Sequence, residues 1–523
     1  MPLSVRVVSA RESAERDRAA IQQGTPSRVL MQRAGAAAAA EISRRFADRL
    51  RNGAIVFTGP GNNGGDGWVV AGLLARSGTG VTVVEAVEAK SPDAVAEKNA
   101  AADAVRIVDW SSSLNEADGA QLVIDAVLGT GAEGEPRGKI AEAISTINRL
   151  HSGGARVVAL DLPSGLEATT GRHSVCVTAD VTFSFGGVKR GSLLARDCCG
   201  AIVVLDIGLD DATAATDGGA ASGAGQLPWL VDGTWVRAHV PPIRYDAHKG
   251  TRKHLAVIAG GQGMAGAAVL CARAALRSGI GLVRALVAPE NVSAILAAAP
   301  SALIAPWPAT AADRSAQISK WADAIVIGPG LGKSEQTRRL VEMVLSDSNL
   351  PVLLDADALN VFDGDVSALG RVLKGKSALI TPHVAEFARL AQIDVGDVLN
   401  NRFDAGTTMA RSIGATVLLK GSPTVIFEPN GERYVVARGT AALGTGGSGD
   451  LLAGIAGTML AQTLNASTSA RCAAWVHGRA AELCEYVRGT TLEDVLYALP
   501  RAWNEGEPSV DPPVLAELPG VAR

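Results

Sequence analysis

A glycine-rich segment in the second half of the chain carries the residues best suited to chemistry. Residues 444–450 are Gly-Thr-Gly-Gly-Ser-Gly-Asp, and they run directly into the apolar stretch 451–455. Small residues let the backbone turn tightly with its N–H groups facing inward, and the N-terminus of a following helix attracts an anion such as phosphate. A carboxylate beside a phosphate is costly unless it has a task, and for Asp450 that task would be general base. The segment therefore predicts phosphoryl transfer to a substrate hydroxyl. The alternative is an ordinary helix start with Asp450 as a first-turn charge.

A similar glycine-rich segment lies in the first half, at residues 59–67 (Gly-Pro-Gly-Asn-Asn-Gly-Gly-Asp-Gly). It follows an apolar run, precedes a helical pattern, and formally satisfies the dinucleotide-binding GxGxxG motif. Glu85 lies about 20 residues on, where a ribose-binding acid would be expected. The amides and the carboxylate within the motif are unusual for that use, because Asp66 would repel a pyrophosphate. A plain strand–helix turn with capping Asn and Asp is the alternative.

Two further predicted strand ends in the first half carry oxygen-bearing side chains. Asp125 and Asp161 each end an apolar run and are followed by glycine-containing turns. Together with Asn63 and Ser164, Asp125 offers hard oxygen ligands that suit an alkali or alkaline-earth cation. Asp161 is the best candidate in this half for proton transfer. Each of these residues taken alone could be only a helix or turn cap.

The second half has a comparable row of polar strand ends. We interpret His383 as a functional residue because Pro382 would fix the turn that presents it. Lys420 is ambiguous, since it could contact a phosphate or ribose or be only a solvated charge. The row consists of the segments 248–251, 260–268, 328–332, 355–360, 381–386 and 420–424.

These segments need a scaffold that brings strand ends together. In both halves short β-branched runs alternate with longer helical patterns, which predicts α/β domains whose parallel sheets are covered on both faces. Ligands of such sheets bind outside the carboxyl ends of the strands. The runs are 54–58, 81–84, 122–125 and 156–161, then 255–259, 324–327, 352–355, 378–381 and 416–420.

The length of 523 residues predicts more than one domain. A small, polar, aperiodic stretch near residues 210–225 has the composition of a linker. We predict a first domain at 1–210, a linker at 211–227, a second domain at 228–504, and a loosely ordered Pro/Glu-rich tail at 505–523.

The composition limits the classes of partner. With 47% hydrophobic and 20% charged residues and a net charge of −4, the chain has the composition of a soluble globular protein without a dedicated nucleic-acid or membrane surface. No apolar run reaches transmembrane length, and we expect a cytoplasmic protein. The six cysteines show no CxxC pair and no metal-binding spacing with the seven histidines, which predicts buried free thiols.

The first half resembles the NAD(P)H-hydrate epimerase family in four segments, 30–35, 61–67, 125–131 and 161–165. The resemblance covers most of residues 1–210 and implies a Rossmann-like fold that interconverts the R and S epimers of hydrated NAD(P)H. Gln32 is a departure, because the family commonly has an acidic residue there. The resemblance implies Asp161 as the catalytic acid/base and a potassium ion held by Asn63, Asp125 and Ser164. It implies substrate contacts by Asn62, Asn63, Gly64, Gly65, Asp66, Gly129, Thr130, Gly131, Ala132, Glu133, Gly134, Glu135 and Asp161.

The second half, from about 240 to 500, resembles the ADP- or ATP-dependent NAD(P)H-hydrate dehydratases, a branch of the ribokinase-like fold. The family usually has Gly-Thr-Gly-Asp where this chain has residues 447–450, Gly-Ser-Gly-Asp. The resemblance implies that Asp450 acts on the hydrate, with Ala267, Gly330 and His383 as further contacts. It implies nucleotide contacts by Lys420, Gly421, Ser422, Pro423, Thr424 and Gly449.

Together these resemblances imply repair of hydrated NADH and NADPH. The first half would epimerise the hydrates, and the second would dehydrate the S hydrate with ADP or ATP, magnesium accompanying the nucleotide, and release phosphate. They also allow a homo-oligomer. Two alternatives remain open: a ribokinase-like small-molecule kinase in the second half, which would leave a stable phosphate ester, and a non-catalytic nucleotide- or partner-binding module in the first.

Overall fold

The computed structural model describes residues 3–108, 121–209, 226–505 and 510–521. In this part of the chain two compact units are present, one built from residues 4–209 with 510–521 and the other from residues 226–505. The predicted linker at 211–227 lies outside the described residues except for 226 and 227.

The N-terminal unit contains an eight-stranded sheet in which all neighbouring strands run parallel except the pair β20 and β9. The strand order is β20-β9-β7-β6-β5-β2-β3-β4. A separate parallel pair joins β1 to β8. The strands are β1 (Val7–Val8), β2 (Ala54–Thr58), β3 (Val81–Glu85), β4 (Arg106–Val108), β5 (Leu122–Ala126), β6 (Arg156–Leu160), β7 (Val181–Phe185), β8 (Val188–Lys189), β9 (Ala201–Leu205) and β20 (Val514–Leu518).

Helices cover both faces of this sheet because its strand residues alternate between two apolar clusters. Val56, Ile124 and Val158 face one cluster with α2 and α4, whereas Phe57 and Val123 face the other with α6. The helices are α1 (Ala10–Gln22), α2 (Ser27–Arg45), α3 (Ala47–Leu50), α4 (Asn62–Arg76), α5 (Pro92–Ala101), α6 (Lys139–Ser152), α7 (Arg190–Leu194) and α8 (Arg196–Cys199).

The predicted loose tail is wrong for residues 514–518. They form β20, which pairs antiparallel with β9 at the edge of the N-terminal sheet. Alternate residues of β20 are buried, and Glu517 forms an ion pair with Arg45 at 2.7 Å. The short run Val-Leu-Ala-Glu-Leu has the alternation of an edge strand, a signal that the Pro/Glu-rich composition around it obscured.

The C-terminal unit contains a ten-stranded sheet of order β10-β19-β18-β17-β16-β15-β14-β11-β12-β13. Its strands run parallel, except that β18 is antiparallel to both of its neighbours. The strands are β10 (Trp229–Leu230), β11 (His254–Ile258), β12 (Leu282–Val287), β13 (Leu303–Pro306), β14 (Ala324–Ile327), β15 (Val352–Leu354), β16 (Ala378–Ile380), β17 (Thr416–Leu419), β18 (Thr424–Phe427) and β19 (Arg433–Val436).

One face of this sheet packs against a layer of small-residue helices that includes α10, α19, α20 and α21. Gly454 lets α19 approach α10 closely, since a Cβ there would lie 2.2 Å from the carbonyl oxygen of Cys271. The helices are α9 (Gly233–His239), α10 (Ala265–Arg277), α11 (Val292–Ala298), α12 (Ala311–Arg314), α13 (Glu335–Ser346), α14 (Asp357–Asn360), α15 (Val366–Leu373), α16 (Val384–Ala391), α17 (Val395–Asn400), α18 (Thr407–Ile413), α19 (Ser448–Thr463), α20 (Ala466–Glu482) and α21 (Leu492–Asn504).

The sheet orders confirm the predicted α/β class and locate the functional ends. In the N-terminal unit the strand order reverses between β2 and β5, and in the C-terminal unit between β11 and β14. Doubly wound sheets bind ligands at such switch points, outside the carboxyl ends of the strands. Among the residues that the structure describes, none of the helices is both long and apolar enough to cross a membrane.

Candidate functional site

The first glycine-rich segment wraps the switch point of the N-terminal sheet. Helix α4 begins earlier than predicted, at Asn62, so residues 62–66 form its first turn. Two of its glycines leave no room for a side chain, because the backbone of another residue lies against them. A Cβ on Gly59 would lie 1.8 Å from the Val127 carbonyl oxygen, and a Cβ on Gly64 would lie 2.0 Å from the Gly59 carbonyl oxygen. The segment therefore holds the N-terminus of α4 against the end of β5.

The three predicted cation ligands are brought together by the turn after β5. Ser164 Oγ donates to Asp125 Oδ1 at 2.6 Å, and Ser164 N–H donates to Asp125 Oδ2 at 2.8 Å. Asn63 Nδ2 donates to the Leu128 carbonyl at 2.8 Å, and the Leu128 N–H donates to Ser164 Oγ. Residues about 40 and 100 positions apart in sequence thus join one buried hydrogen-bond network rich in oxygen atoms, which we call the potassium pocket.

Among the described residues, one oxygen of this network has no hydrogen-bond partner. Because a carbonyl only accepts, the nitrogen side of the Asn63 amide must face Leu128, which turns Oδ1 away from it. Asn63 Oδ1 is buried and has no hydrogen-bond partner among the described residues. Burial raises the pKa of Asp125 to about 6, against hydrogen bonds from Ser164 and Val127 that lower it. An unpartnered buried oxygen beside a desolvated carboxyl group is an environment that a hard cation would satisfy.

Asp161 lies directly after β6 in the left-handed region, with φ of 67°. Such a conformation is uncommon for a residue other than glycine and often marks a functional position. The Thr130 hydroxyl donates to Asp161 Oδ2, and the ammonium of Lys189 donates to Oδ1. The Lys189 side chain is 1% exposed and also donates to the Phe185 carbonyl at 3.1 Å. Asp161 is therefore fixed by a buried cation.

Two more carboxyl groups are close enough to influence this site. Burial, helped by the charges of Asp161 and Asp17, raises the pKa of Asp66 well above its usual value, although Lys189 lowers it. Burial also raises the pKa of Asp17, on α1. Asp66 and Asp17 therefore keep a proton more readily than isolated carboxyl groups do.

The remaining predicted contacts in this half border the same region. Gly129 lies against Asn63, since a Cβ on it would be 2.9 Å from the Asn63 Cβ. The rest of the 129–135 segment is an open, mostly exposed turn. Glu85 does not serve as a free ribose-binding acid, because both of its oxygens accept from Lys98. Gln32 donates to buried Glu97 at 2.8 Å, a contact in which an acidic side chain would be repelled.

The second glycine-rich segment ends inside a helix. Helix α19 begins at Ser448, so Asp450 lies in its first turn, with its N–H donating to the Gly447 carbonyl. The N–H of Ser448 donates to Thr445, whereas the N–H groups of Gly446, Gly447 and Gly449 have no acceptor in the described part of the chain. Three amides at a helix N-terminus are thus available to an anion.

Lys420, directly after β17, lies between two carboxylates, one directly after β15 and one on α16. Lys420 Nζ donates to Asp355 Oδ1 at 2.8 Å and lies 3.8 Å from Glu386 Oε2. Burial lowers the pKa of Lys420, but Asp355, Glu386 and Asp450 raise it by more. The alternative of a merely solvated charge is therefore wrong.

His383 has both a structural and a possible binding role. The ring Nδ1 of His383 accepts from the backbone N–H groups of Ala385 and Glu386, and the backbone N–H of His383 donates to Glu386 Oε2 at 2.8 Å. His383 is therefore the N-cap of α16. This arrangement assigns the proton to Nε2, which lies 3.4 Å from Glu386 Oε1. The side chain is 51% exposed, so it remains accessible to a ligand.

The electrostatic surroundings of Asp450 suit a general base. Burial and then the charge of Asp355 raise the pKa of Asp450 to about 7, while Lys420 lowers it. A base whose pKa lies near neutral pH is largely deprotonated at that pH and still binds a proton well. The Lys420 ammonium is also close to Gly449, since a Cβ there would lie 3.3 Å from Nζ.

The other predicted contacts of this half converge on the same sheet edge. Ala267 in α10 touches the turn after β14, since a Cβ on Gly330 would lie 2.9 Å from that of Ala267. The turn 420–424 is held from behind by buried Arg402, whose Nη1 donates to the Pro423 carbonyl at 3.0 Å. Ala267 and Gly330 thus lie at the switch point of the sheet, and the turn follows β17.

Sequence reasoning missed Lys189 and Asp17 in the first site and assigned no role to Asp355 and Glu386 in the second. Lys189 is the last residue of the short strand β8, and its position at a strand end was a usable signal. Asp17 lies in a charged helix without any distinguishing pattern.

The prediction of buried free thiols is confirmed for every cysteine except Cys484, which is free but only partly buried. None of the six cysteines is in a disulfide, and five are buried. In the N-terminal unit, however, Cys176, Cys198 and His173 place their ligand atoms within 4.8 Å of one another. His173 and Cys176 are close in sequence, whereas Cys198 comes from a different segment of the chain.

Comparison with known proteins adds an independent finding. Residues 255–501 match a family model described as NAD(P)H-hydrate dehydratase, and residues 27–191 match one described as YjeF-related protein N-terminus. The bifunctional NAD(P)H-hydrate repair enzyme Nnr of Moorella thermoacetica is 34% identical over 540 residues, which cover 98% of this chain and 99% of that protein. The enzyme of the same name from Escherichia coli K12 is 34% identical, with coverage of 91% and 89%. Among solved structures, the ADP/ATP-dependent NAD(P)H-hydrate dehydratase of Bacillus subtilis, co-crystallized with ATP/Mg²⁺, has a TM-score of 0.48 and 28% identity, covering 54% of this chain and all of that one.

Proposed function

Because the chain belongs to the family of bifunctional NAD(P)H-hydrate repair enzymes, we propose that its two sites divide this repair between them. The N-terminal unit epimerises the R and S hydrates of NADH and NADPH, and the C-terminal unit dehydrates the S hydrate with ADP or ATP. The observation that carries this conclusion is similarity over nearly the whole chain to enzymes named for both activities. The same observation removes the reason to prefer a lone kinase with a non-catalytic N-terminal module.

In the C-terminal site, Asp450 takes the proton of the hydrate hydroxyl as that oxygen attacks the terminal phosphate of the nucleotide. The free N–H groups of Gly446, Gly447 and Gly449 stabilise the charge of the transferring phosphoryl group. This attack breaks the bond from the terminal phosphorus to the nucleotide, which leaves one phosphate shorter. The lone pair of the ring nitrogen then expels inorganic phosphate by breaking the ring carbon–oxygen bond, and loss of a proton from the adjacent ring carbon restores NAD(P)H. Ala267, Gly330 and His383 contact the hydrate, and residues 420–424 with Gly449 contact the nucleotide.

Magnesium is part of this proposal. Asp355 and Glu386 place carboxylate oxygens beside Lys420, and such hard oxygens suit Mg²⁺. The ion would neutralise phosphate charge. Lys420 shares that task, since its ammonium lies close to the first turn of α19.

In the N-terminal site, Asp161 is the group that moves a proton to and from the hydrate. Lys189 and Thr130 orient its two oxygens. Residues 62–66 and 129–135 border the substrate. Asn63, Asp125 and Ser164 hold a potassium ion, a role supported by the unpartnered Oδ1 of Asn63. The ion would fix the turn that carries Thr130.

A cytoplasmic location and a homo-oligomeric state belong to the same proposal. Light scattering on the purified chain, with and without nucleotide, measures the oligomeric state directly.

The decisive experiment supplies a mixture of R and S hydrated NADH with ADP or ATP and follows restored NADH and released phosphate. Full conversion of both epimers, with one phosphate for each NADH, supports the proposal and identifies the nucleotide. Conversion of the S fraction alone, with the R fraction reacting only at its spontaneous rate, contradicts the role of the N-terminal site. A stable phosphate ester without NADH contradicts the role of the C-terminal site.

The acidic limb of the dehydratase pH profile tests the role of Asp450. A general base must be deprotonated, so kcat/KM for dehydration should fall about tenfold per pH unit below about pH 7. Because the charge of Lys420 lowers the pKa of Asp450, Lys420→Met should move this midpoint upward, whereas Lys420→Arg should leave it in place. A profile that is flat between pH 5 and 8 would exclude Asp450 as the base.

Potassium dependence tests the cation site of the N-terminal unit. In Asn63→Ala the concentration of K⁺ that gives half-maximal epimerisation should rise at least about tenfold, because a ligand oxygen is lost. Asn52→Ala, a surface change in the same unit, is the matched control. Choline chloride keeps the ionic strength constant. If the epimerisation rate of the unaltered protein does not depend on the concentration of K⁺, the proposed potassium site is refuted.

A further inference from the structure

A cluster of soft ligands lies in the N-terminal unit, apart from Asp161 and the candidate potassium pocket. His173 and Cys176 belong to the segment between β6 and β7, and Cys198 lies in α8. The two sulfur atoms are 2.9 Å apart, and Cys198 Sγ lies 3.7 Å from His173 Nε2. Both thiols are buried, whereas the imidazole is exposed, so a small ion could enter from the side of the histidine.

The hydrogen bond of His173 fixes the tautomer of its imidazole ring, and so the protonation of the nitrogen that faces Cys198. His173 Nδ1 lies 3.0 Å from the Gly171 carbonyl oxygen. A carbonyl only accepts, so Nδ1 carries the proton and Nε2 presents its lone pair. Metal-binding histidines usually donate their second ring N–H to a carbonyl or carboxylate, which orients the ring and fixes the tautomer. Nε2 therefore has the state and the position of a metal ligand.

The backbone around both cysteines is held in place independently of any ion. Asn148, on α6, donates to the Cys176 carbonyl at 2.9 Å and accepts from the Thr178 N–H at 2.8 Å. The Ala179 N–H donates to the Cys198 carbonyl at 2.9 Å, which ties the two ligand segments together. The ligands thus come from a rigid frame, as a preorganised site requires.

Two of the three ligand separations can be compared with those around zinc, and the third, from Cys176 Sγ to the imidazole, is at most 4.8 Å. With Zn–S of about 2.3 Å and Zn–N of about 2.0–2.1 Å, tetrahedral ligands lie about 3.5–3.8 Å apart. The separation of Cys198 Sγ from His173 Nε2 already lies in this range. To bind zinc, the two sulfurs must separate by about 0.8–0.9 Å.

We propose that His173, Cys176 and Cys198 form a zinc site of the N-terminal unit. Two thiolates and an imidazole are a ligand set typical of Zn²⁺, and solvent on the exposed side completes the coordination. Binding displaces the thiol protons of Cys176 and Cys198 to the buffer. The alternative is a disulfide between these two cysteines. A disulfide would not explain why His173 directs the lone pair of Nε2 toward Cys198.

The site adjoins the potassium pocket through the backbone. The Val177 N–H donates to the Ser164 carbonyl at 2.9 Å, and a Cβ on Gly165 would lie 3.1 Å from Cys176 Cα. Zinc would thus hold the segment on which the turn of Ser164 rests. The zinc ion would have a structural role, and neither epimerisation nor dehydration would involve it.

The test adds Zn²⁺ to the metal-free, reduced full-length chain and measures bound zinc by mass spectrometry after gel filtration. We expect one zinc per chain, loss of that zinc in Cys176→Ala and Cys198→Ala, and at least about tenfold weaker binding in His173→Ala. Cys199→Ala is the matched control, because the Cys199 thiol is buried in the same helix but donates to the carbonyls of Ser192 and Ala195.

A second measurement needs no variant and therefore does not depend on folding of the mutants. Co²⁺ added to the unaltered chain should give the visible bands of a tetrahedral ion and a thiolate-to-cobalt charge-transfer band. Zinc should also raise the melting temperature, since it binds the folded state. Equal zinc content in the unaltered chain and in the two cysteine variants, a cobalt spectrum without the thiolate band, or a Cys176–Cys198 disulfide in protein kept under reductant would each overturn the proposal.

Discussion

Replacement of Asp450 by asparagine is expected to lower the rate of nucleotide-dependent dehydration by about 10²–10⁴-fold, the usual contribution of a general base. Asparagine keeps the size of the side chain and cannot take the hydroxyl proton. Epimerisation should continue at the original rate, because its residues belong to the other unit. Stopped assays that separate the R hydrate, the S hydrate and NADH measure both activities in one sample.

Asp313→Asn is the matched control for this change, since Asp313 is an exposed residue in the first turn of α12 in the same unit. It should leave both activities unchanged. Dehydration by Asp450→Asn within about threefold of the original rate would remove Asp450 from the mechanism. Loss of both activities in a folded variant would show that the two reactions do not divide between the units.

The same variant should be more stable than the original at neutral and alkaline pH. The pKa of Asp450 is raised on folding, from an ordinary value near 3.8 to about 7, so the folded state binds its proton more tightly than the unfolded state. The unfavourable contribution of Asp450 is thus absent below about pH 4 and grows as the pH rises to about 7. Asparagine removes a cost on the order of a few kcal/mol at most. Thermal melts at pH 5 and pH 8 should show the larger gain at pH 8.

Asp161→Asn is the second large effect, and it should be confined to epimerisation. We expect the enzymatic rate of R–S exchange to fall by about 10²–10⁴-fold, because the carboxylate that Lys189 and Thr130 orient is lost. Dehydration of pure S hydrate should be unaffected. With a hydrate mixture, the variant should consume the S fraction quickly and the R fraction only at the spontaneous rate.

This variant needs a folding check, because Lys189 is 1% exposed and would lose its ionic partner. Circular dichroism and the melting temperature provide it, and Lys189→Met in the Asp161→Asn background should restore stability without restoring exchange. Asp103→Asn, an exposed position in the same unit, is the control. Exchange at the original rate in a folded Asp161→Asn would contradict the role of Asp161.

Much of the architecture was accessible from local sequence signals. The apolar runs that end in Asp125, Asp161 and Lys420 form parallel strands within one residue of the predicted bounds. This success has a simple cause: strands buried on both faces are continuous apolar segments, and parallel pairing requires helices between them. Since such strands share one functional edge, the residues at their ends could be grouped before any contact was known.

Local signals failed where a residue takes its place from distant parts of the chain. The strand 514–518 has a plain alternating pattern, but its partner β9 lies about 300 residues away. The pairing of Lys189 with Asp161 likewise depends on how β7 and the turn after it return to the end of β6. His173 and Cys176 are only three positions apart, but Cys198 joins them through the packing of α8 against the segment before β7, which no sequence spacing indicates.

The sequence by itself determined the α/β class, the two halves, the family resemblance and the residue types at the strand ends, because these depend on short-range patterns of burial, turning and charge. Only the tertiary structure decided the electrostatic state of the sites. Asp450 acquires a pKa of about 7 because folding desolvates it and brings Asp355 close, and Asn63 is left with an unpartnered oxygen because folding turns its amide toward Leu128. Desolvation and charge proximity are properties of three-dimensional packing, and no linear spacing encodes them.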